Sequence, residues 1–99
     1  MSLEATTANV VEKAKASDAL GSTIKFVFNG GEGAVFLDGT SGENVVSNEN
    51  KEAECTVGID FSDFNDLLSG KLSPMEAFMG GKLNIEGDMG VAMKLQSIF

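Results

Sequence analysis

The sequence has 99 residues, with one cysteine, no histidine and seven lysines but no arginine against fifteen acids, for a formal net charge of −8. That length leaves room for one core and one domain, residues 1–99, and the ordinary apolar and charged fractions argue against disorder. Scattered lysines argue against nucleic-acid binding, missing histidine excludes a Ser-His-Asp triad and a histidine metal site, and lone Cys55 cannot close an internal disulfide.

In chain order, Leu3, Thr7, Val10, Val11 and Ala14 keep a helical spacing, with Glu4, Glu12, Lys13 and Lys15 on other faces. This predicts an amphipathic helix ending near Ser17 to Gly21, whose alanines permit close packing on a sheet. From Ser22 the period becomes two: Ile24, Phe26 and Phe28 point one way, Lys25 and Asn29 the other. Gly30-Gly31-Glu32-Gly33 is hairpin punctuation, and Ala34 to Asp38 continues as a second strand. After a turn at Asp38 to Gly42, Glu43 to Ser47 makes a weaker third strand and completes an antiparallel meander. Asn48 to Glu54 is a polar crossover into a fourth strand, in which Ala53, Cys55, Val57 and Ile59 alternate with polar residues and glycine.

Phe61, Phe64, Leu67 and Leu68 form the stripe of a helix capped near Asp60 or Ser62 and ending at Gly70. Ser73-Pro74-Met75-Glu76 is a capping box with proline at the first helical position, and Gly80-Gly81 stops the helix it begins. Lys82 to Gly87 alternates as a fifth strand, with Leu83 and Ile85 on one face. Asp88 caps a terminal helix in which Met89, Ala92, Met93 and Gln96 form one stripe and Val91, Leu95 and Ile98 another. The apolar arc of that helix spans about 220°, roughly twice what resting on one sheet requires. Something apolar is expected on its other side: a further helix, a partner or a lipid. These elements, four helices and five strands, predict an α+β fold.

Catalytic and metal-binding readings find little support, so no enzyme and no cofactor is expected. Cys55 lies on the inward face of a strand and reads as a small core residue. The glycine run at 30–33 joins strand to strand, unlike a phosphate-cradling loop. Asp60, Asp63 and Asp66 recur every third residue, but without a calcium loop they read as acids near a helix start. Met75, Met79, Met89 and Met93, with Phe61, Phe64 and Phe78, leave an ordinary core and an internal ligand pocket equally open. No apolar run approaches the ~20 residues of a membrane span, and Met1-Ser2-Leu3-Glu4 does not begin a secretory signal. Ser97-Ile98-Phe99 shares only its serine with the peroxisomal address, so a cytoplasmic location is expected.

The run Gly70-Lys71-Leu72-Ser73-Pro74, then Ala77-Phe78-Met79, Gly81-Lys82-Leu83, Gly87-Asp88-Met89-Gly90 and Ala92-Met93-Lys94-Leu95-Gln96, closely resembles the sterol carrier protein type 2 family. Ala53-Glu54-Cys55-Thr56-Val57 looks like that family's fourth strand. The resemblance implies a five-stranded mixed, mostly antiparallel sheet covered on one face by helices, and a non-enzymatic lipid carrier, with a tunnel between sheet and C-terminal helices holding fatty acids, acyl-CoA, sterols or phospholipids. On matching positions the lining would include Phe78, Met79, Leu83, Ile85, Met89, Ala92, Met93 and Gln96, with Phe64 and Leu68 closing the tunnel from the preceding helix. Gln96 is the one candidate for anchoring a headgroup. Family members often continue past the last helix with a covering segment, whereas this sequence stops at Phe99. A more open mouth, or one covered by a second copy, is therefore expected.

Family membrane docking is associated with a basic N-terminal helix. The corresponding helix here is close to charge-balanced, so transient membrane contact is expected without electrostatic capture by anionic bilayers. A dry pocket of about 300 Å³ would cost roughly 7 kcal/mol, against a total stability of about 5–15 kcal/mol. The pocket is therefore expected to be collapsed, wet or filled by lipid. The expected state is a monomer or weak homodimer. Two alternatives are a protein interaction module that docks through its apolar helix face and an accessory domain that presents lipid to a separate enzyme.

Overall fold

Helix α1, Leu3–Lys15, begins where the Ser2 hydroxyl accepts a hydrogen bond from the Ala5 amide at 3.1 Å. The computed structural model describes residues 2–94. Strands β1 (Thr23–Phe28), β2 (Ala34–Asp38) and β3 (Val45–Ser47) follow as the expected antiparallel meander, and then β4 (Cys55–Ile59). Helices α2 (Phe61–Ser69) and α3 (Pro74–Met79), strand β5 (Asn84–Gly87) and helix α4 (Met89–Lys94) complete the order. The sheet runs β3-β2-β1-β4-β5. Its one parallel pairing, β1 with β4, lies at the centre.

Register explains why one face of this sheet is the core. Phe26 stands beside Val35 on β2 and Val57 on β4, and Val57 stands opposite Ile85 on β5. Ile24 likewise joins Leu37 and Cys55, and Phe28 joins Ile59. Strand periodicity therefore places every one of these apolar side chains on the face that the helices cover. Phe64 of α2 settles on that face, its ring centroid 4.8 Å from that of Phe26 and 5.2 Å from that of Phe28, while Phe61 meets Phe28 edge-on at 5.0 Å. Buried Thr6 donates to the Asn65 amide oxygen at 2.8 Å, fastening α1 to α2. The reverse face carries Lys25, Thr56 and Glu86 in one row, and beside Lys25 the buried Phe36, capped by Lys51 from the β3–β4 crossover, with its ammonium 5.8 Å from the ring centroid.

Three strands begin later than their periodicity predicts, each because other hydrogen bonds claim the first residues. β3 starts at Val45 rather than Glu43, since the Asn44 amide donates to the carbonyls of Ala14 and Asp18 and accepts from the Leu20 amide. β4 starts at Cys55 rather than Ala53, because the Glu54 amide donates to the Thr23 hydroxyl while the Glu54 carboxylate accepts from the Thr23 amide. β5 starts at Asn84 rather than Lys82, whose amide closes the end of α3 on the Ala77 carbonyl at 2.9 Å. In that exit Gly80 keeps a negative φ and Gly81 takes the left-handed conformation, φ +72°.

Candidate functional site: an apolar groove at the β5 edge

Helix α3 is six residues long, and its placement depends on a cap and one small side chain. The Ser73 hydroxyl accepts from the Glu76 amide at 3.1 Å, Pro74 occupies the first turn, and Ala77 is its one fully buried residue. Ala77 lets α3 approach the core closely while Met75, Phe78 and Met79 stay exposed. On the other side, the Asp88 carboxylate accepts from the Gly90 amide at 2.8 Å at the start of α4. Val91 and Ala92 pack inward, leaving Met89 and Met93 exposed. Strand β5 lies between the two helices and directs Ile85 to the same side.

The result is an open groove of about 140 Å³. Pro74, Met75 and Phe78 form one wall, Met89 and Met93 the other, and Leu83, Ile85 and Ala92 the floor. Leu83 and Ile85 pack against the main core, so the floor is an outward continuation of it. None of the eight lining side chains is charged or carries a hydrogen-bond donor. Such a surface can shelter an apolar group, but it offers no acid, base or nucleophile to act on one. For scale, a cavity of about 150 Å³ takes up a benzene-sized molecule, whereas pockets for larger ligands run to about 300–1,000 Å³.

Among the residues the sequence nominates, Phe78, Leu83, Ile85, Met89, Ala92 and Met93 meet at this groove. Phe64 and Leu68 do not: both are buried in the core beneath α2, where Phe64 stacks against Phe26 and Phe28. Met79 is exposed beyond the groove wall, and Gln96 lies outside the described residues. Pro74 and Met75 join the wall although the lining implied by the resemblance omits both, Met75 having been singled out only as one of the methionines that leave a pocket open. Their signal is the helical spacing of Met75 and Phe78, three apart on one side of α3. The space is an open groove, and no tunnel between sheet and helices is seen among the described residues.

A second recess, between the β1–β2 turn and α2, is lined by Gly30, Glu32, Asp60, Phe61, Ser62, Asn65 and Asp66. The Asp60 carboxylate there accepts from the Asn29 side-chain amide at 3.0 Å instead of capping α2. Among the described residues no group of three or more His, Cys, Asp or Glu is placed to hold a metal ion, and no helix is long and apolar enough to cross a membrane. The Cys55 thiol is buried, and burial, with the Asp88 charge adding to it, pushes its pKa up. A protonated, inaccessible sulfur is a poor nucleophile.

Comparison with known proteins places this arrangement among relatives. Human sterol carrier protein 2 is 49% identical over 55 residues, which are 56% of this chain and 10% of that protein. Hydroxysteroid dehydrogenase-like protein 2 of Xenopus laevis is 37% identical over 98 residues, 93% of this chain and 24% of that protein. The chain thus spans between a tenth and a quarter of the length of these two relatives. The solution structure of palmitated SCP2L2 from Aedes aegypti matches with a TM-score of 0.66 at 19% identity, covering 97% of this chain and 92% of that one, a likeness of fold. The model of the SCP-2 sterol transfer family matches residues 3–99, almost the whole sequence. The chain belongs to the SCP-2 sterol transfer family.

Proposed function

We propose that the chain is a lipid-binding domain that shelters an acyl chain or a similarly long apolar group in the groove between α3, β5 and α4, and carries it without acting on it. The observation that carries this reading is the lining itself: eight apolar residues, continuous with the core, three of them methionines. Membership of a sterol transfer family supports it, and so does the palmitated state of the fold relative from Aedes aegypti. Fatty acids, acyl-CoA, sterols and phospholipids all present an apolar body that such a wall accepts with little discrimination, because dispersion and burial do not depend on a particular pattern of donors.

About 140 Å³ shelters only the first few carbons of a long chain, so binding requires the groove to widen. Helix α3 is the element suited to move, since one alanine and one cap hold it. Methionine walls adapt to the widened shape, having three rotatable bonds and a polarizable sulfur. Burying about 15 methylenes gives roughly 12 kcal/mol gross, and after association and ordering costs micromolar affinity or somewhat tighter remains. In this reading the empty protein keeps a small groove, which avoids most of the cavity cost of a preformed tunnel. Exposed Phe78 and Met79 at the mouth suit transient contact with a bilayer surface during exchange.

Native mass spectrometry of protein taken from cells, with displacement of a fluorescent fatty acid, tests the reading. A co-purified lipid and a displaceable probe are expected, and Met93→Glu should weaken probe binding by about tenfold or more while the variant stays folded, because an ionised carboxylate would have to be desolvated beside the guest. A lipid-free mass, no probe uptake, or normal uptake by the folded variant would each count against it. A second reading, in which the domain presents lipid to an enzyme, draws on the Xenopus laevis relative, four times longer and named as dehydrogenase-like. Sedimentation showing a stable complex with a separate enzyme, or a second copy seated on the groove, would favour docking over free carriage.

A further inference from the structure

The four methionines among the described residues share one region of the molecule. Met75, Met79, Met89 and Met93 are 49%, 79%, 47% and 64% exposed, and three of them line the groove. Few other side chains in this sequence compete for an oxidant. It contains no tryptophan, tyrosine or histidine, and its single cysteine is fully buried. Among the described residues, oxidant arriving from solvent therefore meets sulfur chiefly at the groove and its rim. The distribution is unusual in its direction, because methionines that fill cores are shielded by the packing they provide.

From this juxtaposition of accessible thioethers and apolar lining we infer that the groove is a peroxide-sensitive site: oxidation of Met75, Met89 and Met93 to sulfoxides closes it to apolar guests. The affinity consequence rests on the lipid-binding reading above; the selectivity of the oxidation rests on exposure alone. In the step itself the thioether sulfur attacks one oxygen of hydrogen peroxide. The O–O bond breaks, an S–O bond forms, and the departing hydroxide takes the proton of the transferred oxygen, leaving the sulfoxide and water. Sulfur loses two electrons and the peroxide gains them. Each sulfoxide replaces an apolar surface with a strong hydrogen-bond acceptor. A guest pressed against three such oxygens would strip their water and return no donor, since the groove lining holds none. The floor of Leu83, Ile85 and Ala92 contains no oxidisable group, so the change is confined to the walls. Methionine sulfoxide reductases, drawing two electrons per sulfoxide from a thiol reductant and releasing the oxygen as water, restore the thioethers, so the closure is reversible.

The test treats the purified chain with hydrogen peroxide, maps the added oxygens by peptide mass spectrometry, and follows binding of a fluorescent fatty acid, with circular dichroism as the fold control. We expect oxygen at Met75, Met79, Met89 and Met93 while Cys55 stays reduced, a loss of affinity of about 10-fold to 100-fold, and recovery on adding methionine sulfoxide reductases with a thiol reductant. The Met75→Leu/Met89→Leu/Met93→Leu variant, nearly conserving volume, should give the same affinity before and after peroxide although its Met79 is oxidised. If that variant does not fold, Met93→Leu alone should lose less affinity on oxidation than the parent. Unchanged affinity in the fully oxidised parent, loss of its fold, or an equal response in a folded variant would each overturn the inference. Anilinonaphthalene sulfonate serves as an independent apolar probe. Uptake of that dye without the fatty acid would sink the acyl-carrier reading while the peroxide response is read on the dye, and uptake of neither would overturn both.

Discussion

Cys55 stands between Ile24 on β1 and Gly87 on β5, with no water-accessible surface. Gly87 has φ +101°, and a Cβ there would collide with the Glu54 carbonyl oxygen, so only glycine fits opposite Cys55. With its native pKa raised above the ordinary 9.0, the thiol stays protonated in the folded chain at a pH where the unfolded chain has already released the proton. The unfolded state then binds fewer protons, and stability falls as pH rises beyond about 9. Urea unfolding at pH 8 and pH 10 should show a smaller decline in Cys55→Ala than in the parent, although the variant is less stable at both. Equal declines would exclude the thiol as the source. Reading Cys55 from sequence as a core residue required only strand alternation, because a period of two fixes the face whatever the partner strands are. Phe64 and Leu68 were harder to read: their helical stripe says that they are buried, but not whether against a guest or against Phe26 and Phe28.

Helix α3 shows what an element this short depends on. Six residues form no stable helix in isolation, so the Ser73 cap and the docking of Ala77 supply what propensity does not. Ser73→Ala should cost about 1 kcal/mol, and the cost should be felt locally. Exchange of the Ala77 and Gly80 amides, which bond to the Ser73 and Glu76 carbonyls at 3.0 and 2.8 Å, should quicken by about fivefold, while exchange in the central strands changes little. Equal acceleration across the sheet would show that α3 opens only with the whole fold. The start and end of this helix were legible because serine, proline and paired glycines act through their own backbone and side-chain chemistry. The starts of β3, β4 and β5 were not, because Asn44, the Thr23–Glu54 pair and Lys82 are committed to bonds with distant or preceding segments that no local pattern encodes. Nor did periodicity reveal the parallel pairing of β1 with β4, since alternation reports a strand's face and not its neighbour.

For the molecule as a whole, the formal charge of −8 bears on how it meets other surfaces. The two ion pairs seen among the described residues, Lys51 with Glu49 at 3.1 Å and Lys82 with Asp63 at 3.5 Å, involve partly exposed side chains and add little stability. Most of the negative charge therefore remains as a field around the protein, and anionic bilayers should repel it. Vesicle flotation should show less association with anionic than with neutral vesicles at low salt, and the gap should shrink as ionic strength shortens the Debye length to about 10 Å at 0.1 M. Preferential capture by anionic vesicles at low salt would instead point to a local basic surface that the overall charge conceals. At this scale composition was a sufficient guide, because net charge does not depend on the fold. The groove was legible only in part: the wide apolar arc read over residues 89–99, of which Leu95, Gln96, Ile98 and Phe99 lie outside the described residues, pointed to an unfilled side, but the depth depends on how closely Ala77 lets α3 approach.

The sheet's reverse face has a practical consequence. Lys25, Thr56 and Glu86 point away from the side that holds the groove, and Phe36 beside them is already roofed by the crossover segment. Glu86 is adjacent in sequence to Ile85 yet on the far side of the pleat. A dye, spin label or surface tether fixed there would sit one strand-thickness behind the groove floor, near enough to register filling and emptying and shielded by backbone from touching the cargo.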